Sequence, residues 1–138
     1  MRSTYLFLML LFPLLAILNA VWFGSELQKF AKEVRAFSST HEIERFKGVV
    51  GRQMYAALVQ IVLLVVPPVL FFVGIAKGAL TPGDIIFIIV PSAVVIAVAA
   101  LYKQTEKQVK EIPANDDELR RQRDTIVHTW LKKPLPDW

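Results

Sequence analysis

The sequence contains no cysteine. Disulfide staples, thiol nucleophiles and thiolate metal sites are therefore excluded. Histidine occurs only as His41 and His128, far apart in the chain, and both read as exposed side chains rather than ligands or bases. Asp124 lies one helical turn before His128, which is a common surface pairing. The acidic run Asp116 to Glu118 reads as a helix start rather than a metal site. There is no glycine-rich phosphate loop and no nucleophile elbow. Basic residues are interleaved with acids, so no nucleic-acid patch forms and nucleic acid is not an expected partner. No catalytic, cofactor-binding or metal-binding residue is assigned. The expectation is a non-enzymatic protein without a cofactor.

Charge is also missing from three long blocks: Thr4 to Ser25, Met54 to Ala76, and Ile85 to Tyr102. Hydrophobic residues make up 54% of the 138, and they concentrate there. Apolar runs of about 18 residues or more read as membrane spans. The second block has 23 residues, about 34 Å as a helix, enough to cross with some tilt. Gln60 is its only strongly polar side chain. The first block could be a signal peptide, but its apolar stretch is too long. The best cleavage candidate, "LNA", has Leu18 where a small residue is wanted, and Trp22 and Phe23 end the block as interfacial aromatics do. A retained span is expected.

The predicted fold is an all-α membrane protein with three transmembrane helices, a first span plus a tight helical hairpin, and amphipathic cytoplasmic helices. Residues 1–25 form the first span, 26–53 a cytoplasmic amphipathic segment, 54–102 the hairpin and 103–138 a cytoplasmic helical tail. The connection "KGALTPGD" carries legible capping chemistry. Thr81 can cap the next helix, Pro82 suits its first position, and Asp84 sits where a carboxylate favours the positive helix end. The run "GALTPGD" is similar to the turn-and-cap stretch between hairpin helices of ABC exporter membrane domains, over seven residues, and implies no function.

Orientation follows from lysine and arginine counts near the spans. The segment Glu26 to Gln53 holds six and the tail after Tyr102 holds eight, whereas the other side has only Arg2 and Lys77. The middle segment and tail should therefore be cytoplasmic, with the N-terminus and hairpin loop outside. A plasma membrane, taken as a bacterial inner membrane, is the expected location.

Each span contains proline: Pro13, the pair Pro67 and Pro68, and Pro91. Proline removes a backbone donor and bends a helix. The freed carbonyls are those of Met9, Leu63, Leu64 and Phe87. All these kinks fall in the outer half of the bilayer. They are either ordinary tolerated kinks, or aligned bends that open an outward cavity or fit a partner's helices. Ala93, Ala97 and Ala100 share one side of the third helix, where small residues allow close helix packing.

In the middle segment, Leu27, Phe30, Val34 and Phe37 recur at helical spacing. "SSTHE" interrupts, Ser39 with Glu42 matches a capping box, and Ile43, Phe46 and Val50 continue an apolar stripe. Such a basic amphipathic helix lies in the headgroup layer or docks on a partner. In the tail, "KQTEKQVKEI" should extend the third helix, and Pro113 should end it. Asn115 can cap a last helix whose Leu119, Ile126, Val127, Trp130 and Leu131 make one apolar stripe. That helix is too short to stand alone. It must rest on the middle segment, on headgroups or on another protein. With the terminal Trp138, these residues are the expected partner-docking surface.

Ion and proton pathways usually need ionisable groups at membrane depth, and the spans have none. The leading expectation is a non-catalytic accessory or assembly subunit of a larger inner-membrane complex. Its partners would be the lipid bilayer and other membrane subunits, with a hetero-complex favoured and a homo-oligomer as the second option. The alternative is a small oligomeric transporter or channel component with proline-kinked spans. An enzyme acting at the headgroups is the third class.

Overall fold

The computed structural model describes residues Met1–Trp138. It is all-helical, with α1 (Arg2–Glu33), α2 (Thr40–Ala76), a 3₁₀ turn (Pro82–Ile85), α3 (Ile86–Leu101), α4 (Lys103–Lys110) and α5 (Asp117–Lys132). Three helical stretches, Arg2–Glu33, Thr40–Ala76 and Pro82–Lys110, are long and apolar enough to cross a membrane. These mark a multi-pass membrane protein.

The first span and the amphipathic stretch after it form one unbroken helix. Nothing between Trp22 and Glu33 stops it: Gly24 and Ser25 are weak breakers, and the run of Glu, Leu, Gln and Lys that follows favours helix. The break comes later, at residues 34–39. Helix α2 likewise carries the second amphipathic stretch into the second span without interruption. Beyond the third span the helix breaks at Tyr102, which separates α3 from a short α4.

The chain divides into two compact units. One comprises Met1–Val21 with Val59–Leu101, the other Trp22–Leu58 with Tyr102–Trp138.

The core of the first unit is Met9, Phe71 and Leu80, against which Tyr5 of α1 and Phe87 and Ile88 of α3 pack. Its turn is built as the residues dictate. Gly78 takes φ +73°, the left-handed conformation that ends helices at low cost in glycine. Ala79 N–H then donates back to the Gly74 carbonyl at 2.8 Å. Gly74 is needed for space: a Cβ there would come within 2.5 Å of the Leu80 side chain. Thr81 is extended, its N–H donates to Asp84 Oδ2 at 2.9 Å, and Pro82 opens the turn. The Arg2 guanidinium donates to the opposite oxygen, Asp84 Oδ1, at 2.8 Å. A 3₁₀ turn thus opens at Pro82, and α3 itself begins four residues later, at Ile86.

The second unit is a helical cluster around three phenylalanines. Phe30 and Phe46 stack with centroids 5.6 Å apart, and Phe37 tilts against Phe46 at 5.1 Å. All three are fully buried, among Leu27, Val34 and Ile43. Their stripe, spaced every three or four residues along α1 and α2, is the one visible in the sequence. Val109 of α4, Ile112, and Leu119 and Ile126 of α5 close it from the other side. The linker before α5 is fixed by a backbone bridge. Phe37 N–H donates to Pro113 O at 2.8 Å, and Asn115 N–H donates to Phe37 O at 2.9 Å. Arg123 Nη1 also donates to the Ile112 carbonyl at 2.7 Å. The Asn115 N–H is thereby tied to Phe37, and the cap falls one residue later than expected, at the extended Asp116. Asp116 Oδ1 accepts from Leu119 N–H at 2.8 Å.

Candidate functional site at the ends of the spans

Of the residues expected to dock a partner, Leu119 and Ile126 are buried in the chain's own core, with Val127 and Trp130 packed against it. Those four are thus engaged within the chain itself. An α5 stripe that needs cover meets an α1–α2 stripe that also needs cover, and each satisfies the other. Lys110 Nζ further sits 4.7 Å from the centre of the Trp130 ring, which occupies that face too. Only Leu131 and Trp138 stay exposed. Of the three alternatives for the tail, resting on the middle segment is the one the structure adopts.

In the first unit, Pro13 and Pro67 are fully buried, and Pro68 and Pro91 half-buried. All lie inside continuous helix. On α3, Val95 is buried and Pro91, Ser92 and Val98 are half-buried. Ala93, Ala97 and Ala100 are exposed. The alanine face is therefore turned away from the chain's own helices.

Polar contacts tie α1 to α2 in each unit. Asn19 Nδ2 donates to Gln60 Oε1 at 2.9 Å within the first. In the second, Gln53 Nε2 donates to the Phe23 carbonyl at 2.8 Å, and Glu26 pairs with Arg52. Gln53 is buried, and its amide uses the spare lone pair of a carbonyl. These pairings, across 41 and 30 positions of sequence, had no local signal. The isolated polar residues Gln60 and Asn19 in apolar runs were the available hint, because a lone amide in lipid needs a partner.

Near the same level, Gly24 meets the Tyr102 ring so closely that a Cβ would overlap it. Trp22 and Tyr55 point outward, 57% and 56% exposed, as interfacial aromatics do. Past Gly24, an open groove of about 320 Å³ is lined by Gln28, Ala31, Lys32 and Arg35 on one wall and Thr105 and Gln108 on the other.

Acids in the second unit are largely committed. Glu33 pairs with Arg45, Glu106 with Lys110, Glu118 with Arg121 and Asp137 with Lys133. Glu42 accepts from the Ser38 hydroxyl at 2.6 Å and from Ser38 N–H at 3.0 Å, which holds its carboxyl below the usual range. The Arg121 guanidinium does the same to Glu118, and the Lys133 ammonium to Asp137. Asp124 is engaged by Arg123 at 2.8 Å, and His128 is exposed. No group of three or more histidine, aspartate or glutamate side chains is placed to hold a metal ion. Comparison with protein-family models, with curated proteins and with solved structures gives no match for this chain.

Proposed function

We propose that the protein is a non-catalytic accessory or assembly subunit of a larger complex in the bacterial inner membrane, with its N-terminus and α2–α3 turn outside and its second unit cytoplasmic. The observation that carries this reading is the exposure of the third helix. Only 6% of its most apolar window is buried, against 22% for the first and 17% for the second. The uncovered side includes Ala93, Ala97 and Ala100 at helical spacing. Small side chains let a partner's backbone approach, so that van der Waals contact replaces the missing hydrophobic drive in lipid. The self-closed second unit supports a structural role, since its apolar stripes hold the chain's own α5.

Purification in mild detergent should bring down a different membrane protein in fixed stoichiometry. Ala97→Leu, at an exposed position of α3, should reduce that recovery several-fold while leaving the subunit's own melting temperature unchanged. A homogeneous homo-oligomer that conducts solutes in vesicles would replace this reading with the transport alternative.

A further inference from the structure

We propose that the groove between the end of α1 and α4 binds the phosphate headgroup of an anionic lipid. Its walls carry two cations, Lys32 and Arg35, together with the Thr105 hydroxyl and the Gln28 and Gln108 amides, and no carboxylate. Neither Lys32 nor Arg35 has an acidic partner, nor do the neighbouring Lys29, Lys103 and Lys107. Three nearby acids are taken elsewhere, Glu26 by Arg52, Glu33 by Arg45 and Glu106 by Lys110, and Glu111 at the C-terminal end of α4 is the one left without an ion pair. Uncompensated positive charge is thus concentrated on α1 and α4, although cations elsewhere in the unit are mostly paired.

Position favours a lipid over a soluble anion. The close approach of Gly24 and Tyr102 seats α1 against the residue that opens α4, and the groove opens one turn farther on. Thr105 lies three residues past the last apolar block, about 4.5 Å along the helix, and Lys32 seven residues past Ser25, about 10 Å. Side chains tilt toward the N-terminus of their helix. Both α1 and α4 leave the apolar blocks running C-terminally, so their side chains lean back toward the lipid. Long cationic chains at such positions reach headgroups, and basic pockets between helices at this level hold phosphate-bearing lipids. The volume of about 320 Å³ equals that of about ten waters, room for a phosphodiester. This inference needs the spans to be in a membrane but is independent of the subunit reading.

The test uses the full-length protein in non-ionic detergent, titrated with phosphatidylglycerol, phosphatidylcholine or inorganic phosphate, with adducts counted by native mass spectrometry. Phosphatidylglycerol should bind more tightly than phosphatidylcholine. The double variant Lys32→Gln, Arg35→Gln should weaken it about thirtyfold, from ~1 kcal/mol for each cation. A control with Lys77→Gln and Lys132→Gln, which removes two other free cations, should leave it unchanged. Should the double variant aggregate, Thr105→Glu, which keeps both cations and adds a repelling carboxylate, carries the same expectation. Equal binding of the two lipids, or equal loss in the control, would overturn the proposal. Inorganic phosphate binding as tightly as phosphatidylglycerol would assign the groove to a soluble anion and overturn it as well.

Discussion

At the scale of single residues, contacts that admit no larger atom decide how the helices meet. Gly24 has no Cβ, and the Tyr102 ring fills that space. Gly24→Val should therefore destabilise the second unit by about 1–3 kcal/mol, the usual range for overpacking. Pairing it with Tyr102→Ala should restore part of the loss, measured by thermal unfolding in detergent. No restoration would show that the two positions do not meet. Glu42 gives a pH-dependent case. Its folded-state pKa is lowered by Ser38, so its contribution is fully present above the ordinary value of 4.5 and is lost as pH falls through the lower folded value. The stability difference between the native chain and Glu42→Ala should accordingly be present at pH 7 and shrink below about pH 4.5. A difference that does not change with pH would rule out the ionised cap.

At the scale of elements, helix α5 completes the core that α1 and α2 leave open. Ile126 is 1% exposed among the phenylalanine cluster. Ile126→Ala should cost about 2–5 kcal/mol. Ending the chain before Asn115 should remove the Asn115 bond to the Phe37 carbonyl as well as α5, and limited proteolysis should then cut rapidly between Glu33 and Thr40. An unchanged digestion pattern would mean that α5 is not part of this core. The sequence showed each apolar stripe clearly, because helical spacing is local. It could not show that the stripes face each other, because burial partners are set by chain reversal. The same limit explains Asn115, whose side chain suits a cap but whose backbone is taken by Phe37. In the turn from Gly78 to Asp84, the roles of Thr81, Pro82 and Asp84 could be read from their near neighbours, whereas the left-handed Gly78 and the Gly74–Leu80 approach were not read. The groove was not legible. Lys32 and Thr105 are 73 positions apart, and the freedom of its cations depends on ion pairs made elsewhere.

At the scale of the whole molecule, three helices of membrane-crossing length leave an odd number of crossings. The proposed orientation puts the fourteen lysines and arginines of the middle segment and tail on the side opposite Arg2 and Lys77. Asp84 pairs with Arg2, which leaves Lys77 as the one lysine or arginine of that sparse side without an acidic partner. The proposed partner surface and the anionic-lipid groove both take their biological setting from this arrangement. Because the native chain has no cysteine, single cysteines report position without background. The most direct measurement is labelling of Lys77→Cys and Leu135→Cys in intact cells with a membrane-impermeant maleimide. The expected result is modification of position 77 alone, with position 135 reacting only after the membrane is permeabilised. Modification of position 135 in sealed cells, with position 77 protected, would contradict the orientation.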